Sequence, residues 1–221
     1  TGDYNVGLGD SALTACTEGA SNTAVGFNSL NDNTTGAENT AVGQNAMGLN
    51  TTGSSNVAVG QGSLESNTTA TANTAVGHDS MKNNTTGTEN TAVGKGALTG
   101  NTEGGYNVAL GRSALNANTT GEYNVAVGKG ALDANTTADH NVAIGIDAMG
   151  ANTTGTRNIG IGANALDANT TGVDNTGVGY KALTDNSTGT RNVAMGAFAL
   201  YDSTTGVDNT AMGYNSLGVH T

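Results

Sequence analysis

Small, apolar and polar side chains return along this chain every 17 residues, which is neither the strand nor the helix period. Asn stands at positions 5, 22, 39, 56, 73 and 90 and continues in the same step to 209, giving thirteen registers without an insertion, the last one incomplete. One unit, residues 39–55, reads N-T-A-V-G-Q-N-A-M-G-L-N-T-T-G-S-S, and its columns are numbered one to seventeen from that Asn. Column five is always Gly, as in Gly9, Gly26 and Gly43, and column nine is always Leu or Met, as in Leu30, Met47, Leu64 and Met81. Column four is aliphatic or Met (Leu8, Val25, Ile144, Met195), while columns three and eight hold only Ala, Gly or Ser. Every charged residue falls in columns six, seven, ten, eleven, fourteen, sixteen or seventeen. That segregation predicts a lining built from columns three, four, eight and nine, and a solvated surface from the rest.

Within a unit, T/V-A-V-G predicts a short strand ended by a Gly that tolerates turn dihedrals. A second short strand is expected around A-L, and N-T-T-G supplies turn formers. Gly and Asn at fixed positions, with β-branched residues between them, disfavour a helix. No unit can bury its own face, so units must stack. The expected fold is all-β, a parallel β-solenoid of thirteen 17-residue coils spanning residues 1–221 as one repeat array. At about 4.8 Å per coil the rod would be roughly 60 Å long. Its lining is thin, and small residues at columns three and eight permit close backbone approach. Both point to lateral association as a homo-oligomer with closed symmetry, an intertwined or side-by-side homotrimer being favoured. Periodicity does not by itself fix the number three.

Composition narrows the choice. The chain has 35 Gly, no Pro, no Trp and 4% aromatic residues, too few large side chains for a compact domain of 221 residues. Disorder would give no reason for Leu or Met at every seventeenth position. No run approaches the roughly 20 apolar residues of a membrane-spanning helix. A net charge of −11 argues against nucleic-acid binding and fits a solvated rod. The chain starts and stops inside a repeat, with no signal peptide or initiator Met, and is read as a segment of a longer fibre.

The core N-[TV]-A-[VIL]-G-x-x-[AS]-[LM] resembles the head repeat of YadA-type trimeric autotransporter adhesins. It is also similar to the N-T-A-V-G-x-x-A-L-x-x-N-T-T-G arrays of bacteriophage tail fibres and related surface fibres. The likeness covers essentially the whole chain. It implies a left-handed parallel β-roll, trimeric, extracellular and used for attachment to a host or surface. YadA-type units are typically nearer 14 residues; the extra ones here fall around N-T-T-G-x-x, so a longer outer loop is expected and the phage-type array is the closer match. The C-terminal chaperone domain that often follows such arrays is absent from this sequence.

Candidate sites are few. Column-one Asn, including Asn22, Asn39, Asn56, Asn73 and Asn90, is read as a structural ladder of coil-to-coil amides, with Gly26, Gly43, Leu30, Met47 and Leu64 as the matching turn and lining positions. Column twelve supplies nine N-x-[ST] acceptors, from Asn33 to Asn186; turn and ladder is preferred to glycosylation, because glycans stacked about 4.8 Å apart would crowd. Ice binding would need paired Thr files on one face, and adjacent columns thirteen and fourteen point to opposite faces. Acids such as Asp32, Asp185 and Asp202 share column eleven with mostly neutral residues, and no calcium-binding repeat is present. In column seventeen Arg157, Asp174, Arg191 and Asp208 alternate in sign, and Tyr106 neighbours Tyr123, which predicts cross-coil pairs.

His78, His140 and His220 sit in different columns, and no catalytic triad, metal spacing or cofactor motif forms. The single Cys16 occupies an Asn column and has no intrachain partner. The sequence thus points away from an enzyme and towards a structural and adhesive fibre. Tyr4, Phe27, Tyr180, Phe198, Tyr201 and Tyr214 are the exposed aromatic candidates for contact with a cell-surface receptor or glycan, or for packing between chains. The alternatives are a self-assembling extracellular filament and a monomeric solenoid that binds ice or another surface.

Overall fold

The computed structural model describes residues 2–218. Each coil contributes one three-residue strand, from β1 (Val6–Leu8) and β2 (Thr23–Val25) through β7 (Val108–Leu110) to β13 (Thr210–Met212). Among the described residues thirteen such strands form one parallel sheet in sequence order, and each residue pairs with its equivalent one coil on, as Val25 does with Val42. The chain is therefore a parallel β-solenoid, and no described residue is helical.

The strands are short because column five ends them. From Gly9 to Gly196 its φ lies between 131° and 138°, a region that side chains rarely adopt. Stacking adds a second demand, since a Cβ on Gly43 would lie 2.5 Å from the carbonyl oxygen of Gly60 in the next coil. Only Gly meets both conditions.

The second strand expected around A-L is not formed. Columns six to eleven run as a turn, and the column-nine Leu and Met residues take left-handed φ values from 49° at Leu30 to 54° at Leu13. A left-handed residue cannot continue a strand. It does turn its side chain into the coil, where Leu30, Met47 and Leu64 are fully buried. The conformation costs about 1–2 kcal/mol, and burying the side chain returns about 1.5–3 kcal/mol. The backbone stays paired across coils, the Leu30 N–H donating to the Ala46 carbonyl at 3.0 Å.

The lining also differs from expectation. The residue pattern puts column four inside, but in β2 it is Ala24 that is buried while Thr23 and Val25 are half-buried on the outer side. A three-residue strand has one inward position, and alternation gives it to column three. The interior consists of Ala from column three, Ala or Ser from column eight and Leu or Met from column nine. Small columns three and eight thus bring the two walls of one coil together, not neighbouring chains. The buried serines are satisfied locally, the Ser29 hydroxyl donating to the Ala41 carbonyl at 3.0 Å.

Candidate functional site

Two asparagine ladders form the polar part of the interior. Asn22, Asn39, Asn56, Asn73 and Asn90 are fully buried. Each side-chain oxygen accepts from the next coil: the Asn56 N–H and Nδ2 donate to Asn39 Oδ1 at 3.0 and 3.1 Å. Column twelve makes a parallel ladder, with Asn50 Nδ2 donating to Asn33 Oδ1 at 2.7 Å. The two meet at the column-fifteen carbonyl, where Gly53 O accepts from Asn39 Nδ2 at 2.8 Å and Asn50 Nδ2 at 3.0 Å. The nine N-x-[ST] amides are consequently buried, and a glycan on any of them would displace a rung.

Column twelve breaks off at Ser203, leaving Asn186 Oδ1 buried with no partner among the described residues. The variant Ser203→Asn supplies the missing donor. It should stabilise the rod by about 1 kcal/mol, raising the calorimetric midpoint by about 2–4 °C. At the other end Cys16 occupies the rung position, its half-buried free thiol facing the Gly19 carbonyl at 3.3 Å.

The outer side of the sheet carries columns two and four as two parallel files. Along them lie Val57, Val59, Val93, Leu110, Ile144, Ile159, Ile161 and Met195, all exposed. Val59 and Ile144 keep 37% and 39% of their surface in solvent, so stacking covers their flanks and leaves the outer tips bare. No charged residue occurs in either column. The stripe is roughly 60 Å long and about 7 Å wide, near the size at which an exposed apolar patch marks an interaction site. Thr shares column two with Val and Ile, but column four has no hydroxyl at all. In the turn, column-thirteen hydroxyls are spent on the backbone, Thr34 Oγ1 donating to the Thr51 carbonyl at 3.0 Å, and only column fourteen stands exposed in single file.

Charged groups lie on the remaining surface. Arg157 pairs with Asp174 at 2.7 Å and Arg191 with Asp208 at 2.6 Å. The guanidinium hydrogen bonds hold both carboxyls below the usual carboxylate range. Lys82 bridges Asp79 and Glu65, and His78 lies 2.9 Å from Asp79. Partial burial raises the carboxyls of Asp133 and Asp167, and the charge of Asp147 adds to the effect. Among the described residues no group of three or more His, Cys, Asp or Glu is placed to hold a metal ion. His220 lies outside the described residues.

The aromatic candidates divide into three sets. Tyr4, just before the first coil, and Phe27, in the second, are exposed, and neither is stacked on another ring among the described residues. Tyr106 and Tyr123 stack in parallel with centroids 4.9 Å apart, and His140, the next residue of column seventeen, extends the stack at 5.1 Å beyond the expected Tyr pair. Tyr180, Phe198, Tyr201 and Tyr214 gather into one cluster around Phe198. In comparisons with known proteins the chain matches no family model and no curated protein. No helix among the described residues is long and apolar enough to cross a membrane.

Proposed function

We propose that this chain is a segment of an extracellular fibre, a phage tail fibre or bacterial surface adhesin, whose copies associate side by side as a homotrimer and attach it to a host or surface. The observation that carries the reading is the uncharged outer stripe of columns two and four, apolar throughout in column four, running from β1 to β13 on a rod whose own interior is already filled. Burying exposed Val, Ile, Leu and Met against other copies removes that surface from water. A surface that must meet ordered water would use regular hydroxyls, and column four, which has none, favours protein contact instead.

Two features suit an attachment role. Ladders of buried amides lock each coil to the next and make a stiff spacer. The variable outer columns can then change without disturbing the lining.

Sedimentation equilibrium tests the assembly. The wild-type chain should run at three times its chain mass. Combining Val59→Lys, Val93→Lys and Ile144→Lys should weaken self-association by about 10²-fold or more, because like charges would face one another across the contact. Far-UV circular dichroism should remain that of the wild type, since all three side chains point away from the coil interior. A wild-type chain that stays at one chain mass at every concentration would remove the proposal.

A further inference from the structure

We infer that Tyr180, Lys181, Phe198, Tyr201 and Tyr214 form a binding patch for a pyranose sugar of a surface glycan. The inference gives the attachment role its chemistry and rests on that reading. Of the chain's eight Tyr and Phe residues, four meet here, in coils eleven to thirteen. Phe198 is the hub: Tyr180, Tyr201 and Tyr214 lie 5.3, 5.7 and 6.1 Å from its centroid at angles of 87°, 63° and 82°. Tyr180 keeps 48% of its surface in solvent, while Phe198 and Tyr201, expected to be exposed, are half-buried by these edge-on contacts. The Tyr106–Tyr123–His140 stack is the contrast, because its parallel rings cover one another and offer mostly edges.

The choice of side chain at column seven also sets the patch apart. Column seven is left-handed, and every other coil fills it with Asn, Gly, Asp or Ser. Coils eleven and twelve instead hold Lys181 at φ 54° and Phe198 at φ 58°, side chains disfavoured there. The Lys181 ammonium lies 5.7 Å from the Tyr180 centroid and 5.9 Å from that of Tyr201, over rings instead of against a carboxylate. Between Tyr180 and Tyr214 column six carries the small Ala197. Flat apolar faces, phenolic hydroxyls and one available ammonium suit a ring whose C–H faces stack while its hydroxyls accept from Lys181 and exchange hydrogen bonds with Tyr.

Saturation-transfer NMR of the full chain with the methyl glycosides of glucose, galactose and N-acetylglucosamine tests the assignment. At least one sugar should bind with a Kd on the order of 1 mM. Phe198→Asn should weaken that binding by about tenfold or more. This variant places a favourable residue in the left-handed position, so loss of folding is not expected, and its circular dichroism should match the wild type. Phe27→Asn, at an isolated ring, should leave sugar binding unchanged. Absence of transfer to all three sugars would overturn the inference, as would full binding by Phe198→Asn. Sedimentation of the same variants separates this from assembly: a change in mass with no sugar bound would place the rings between copies and overturn the patch while leaving the fibre reading intact.

Discussion

Gly111→Val is expected to divide the rod's unfolding into two transitions and to cost about 4 kcal/mol or more. Gly111 has φ 134°, where a β-branched residue is severely strained. Its new Cβ would lie 2.6 Å from the Gly128 carbonyl oxygen and 3.2 Å from the Lys129 nitrogen. Those atoms cannot retreat, because the Gly128 N–H donates to Leu110 O at 2.8 Å and the Val108 N–H to Asn124 O at 2.8 Å. Relief requires coils seven and eight to separate, with loss of the hydrogen bonds between them. In a solenoid each coil touches only its neighbours, so a broken interface leaves two blocks that melt separately. Calorimetry should show a second, lower transition. Gly96→Asn is the control: φ is 67°, Asn is tolerated there, and the nearest atom to a Cβ is Thr99 Oγ1 at 3.5 Å. Its effect should stay within about 0.5 kcal/mol. A Gly111→Val protein that melts as the wild type does would show that column five is not a stacking constraint.

The coil length and the parallel stack were legible because stacking makes residues 17 apart spatial neighbours, and the sequence repeats what the neighbours require. Arg157 with Asp174, and Tyr106 with Tyr123, follow from that rule alone. The faces of the strand were not legible. In T-A-V both Ala and Val are apolar, and hydrophobicity favours Val for the interior. The narrow coil reverses this, because Ala24 is the side chain that fits opposite Leu30 and Ser29. The A-L segment read as a strand for a similar reason: composition carries no sign that Leu30 adopts φ 49°. Coiling also gathers Tyr180, Phe198, Tyr201 and Tyr214, which fall in columns six, seven and ten and are not periodic along the chain. The signal that could have marked them was Phe198 and Lys181 in a column otherwise reserved for Asn, Gly, Asp and Ser.

These corrections change which residues the proposed assembly would rest on. Small residues in columns three and eight thin each coil from within, while columns two and four are the surface that the proposed assembly would use. Stability of one coil stack and association between stacks then rest on different residues. Substitutions on the outer files should alter mass without altering the coil, and substitutions in the ladders should do the reverse.

The ladders offer the sharpest test of how one coil is held. Asn107→Ala and Asn118→Ala should each cost about 3 kcal/mol, and the double variant should lose about 1–2 kcal/mol beyond their sum. Asn107 Oδ1 accepts from the Asn124 N–H at 3.0 Å, so truncation orphans a buried donor. Asn118 Nδ2 donates to Asn101 Oδ1 at 2.9 Å, so its truncation orphans a buried acceptor. The coupling arises one step away. Gly121 O accepts from Asn107 Nδ2 at 2.8 Å and from Asn118 Nδ2 at 3.0 Å. Either Asn alone keeps that carbonyl paired, and only the double variant leaves it bare in the interior. Denaturant unfolding of the four proteins in the cycle measures the excess. Strict additivity would mean that the two ladders act independently, and that the column-fifteen carbonyl does not tie them into one frame.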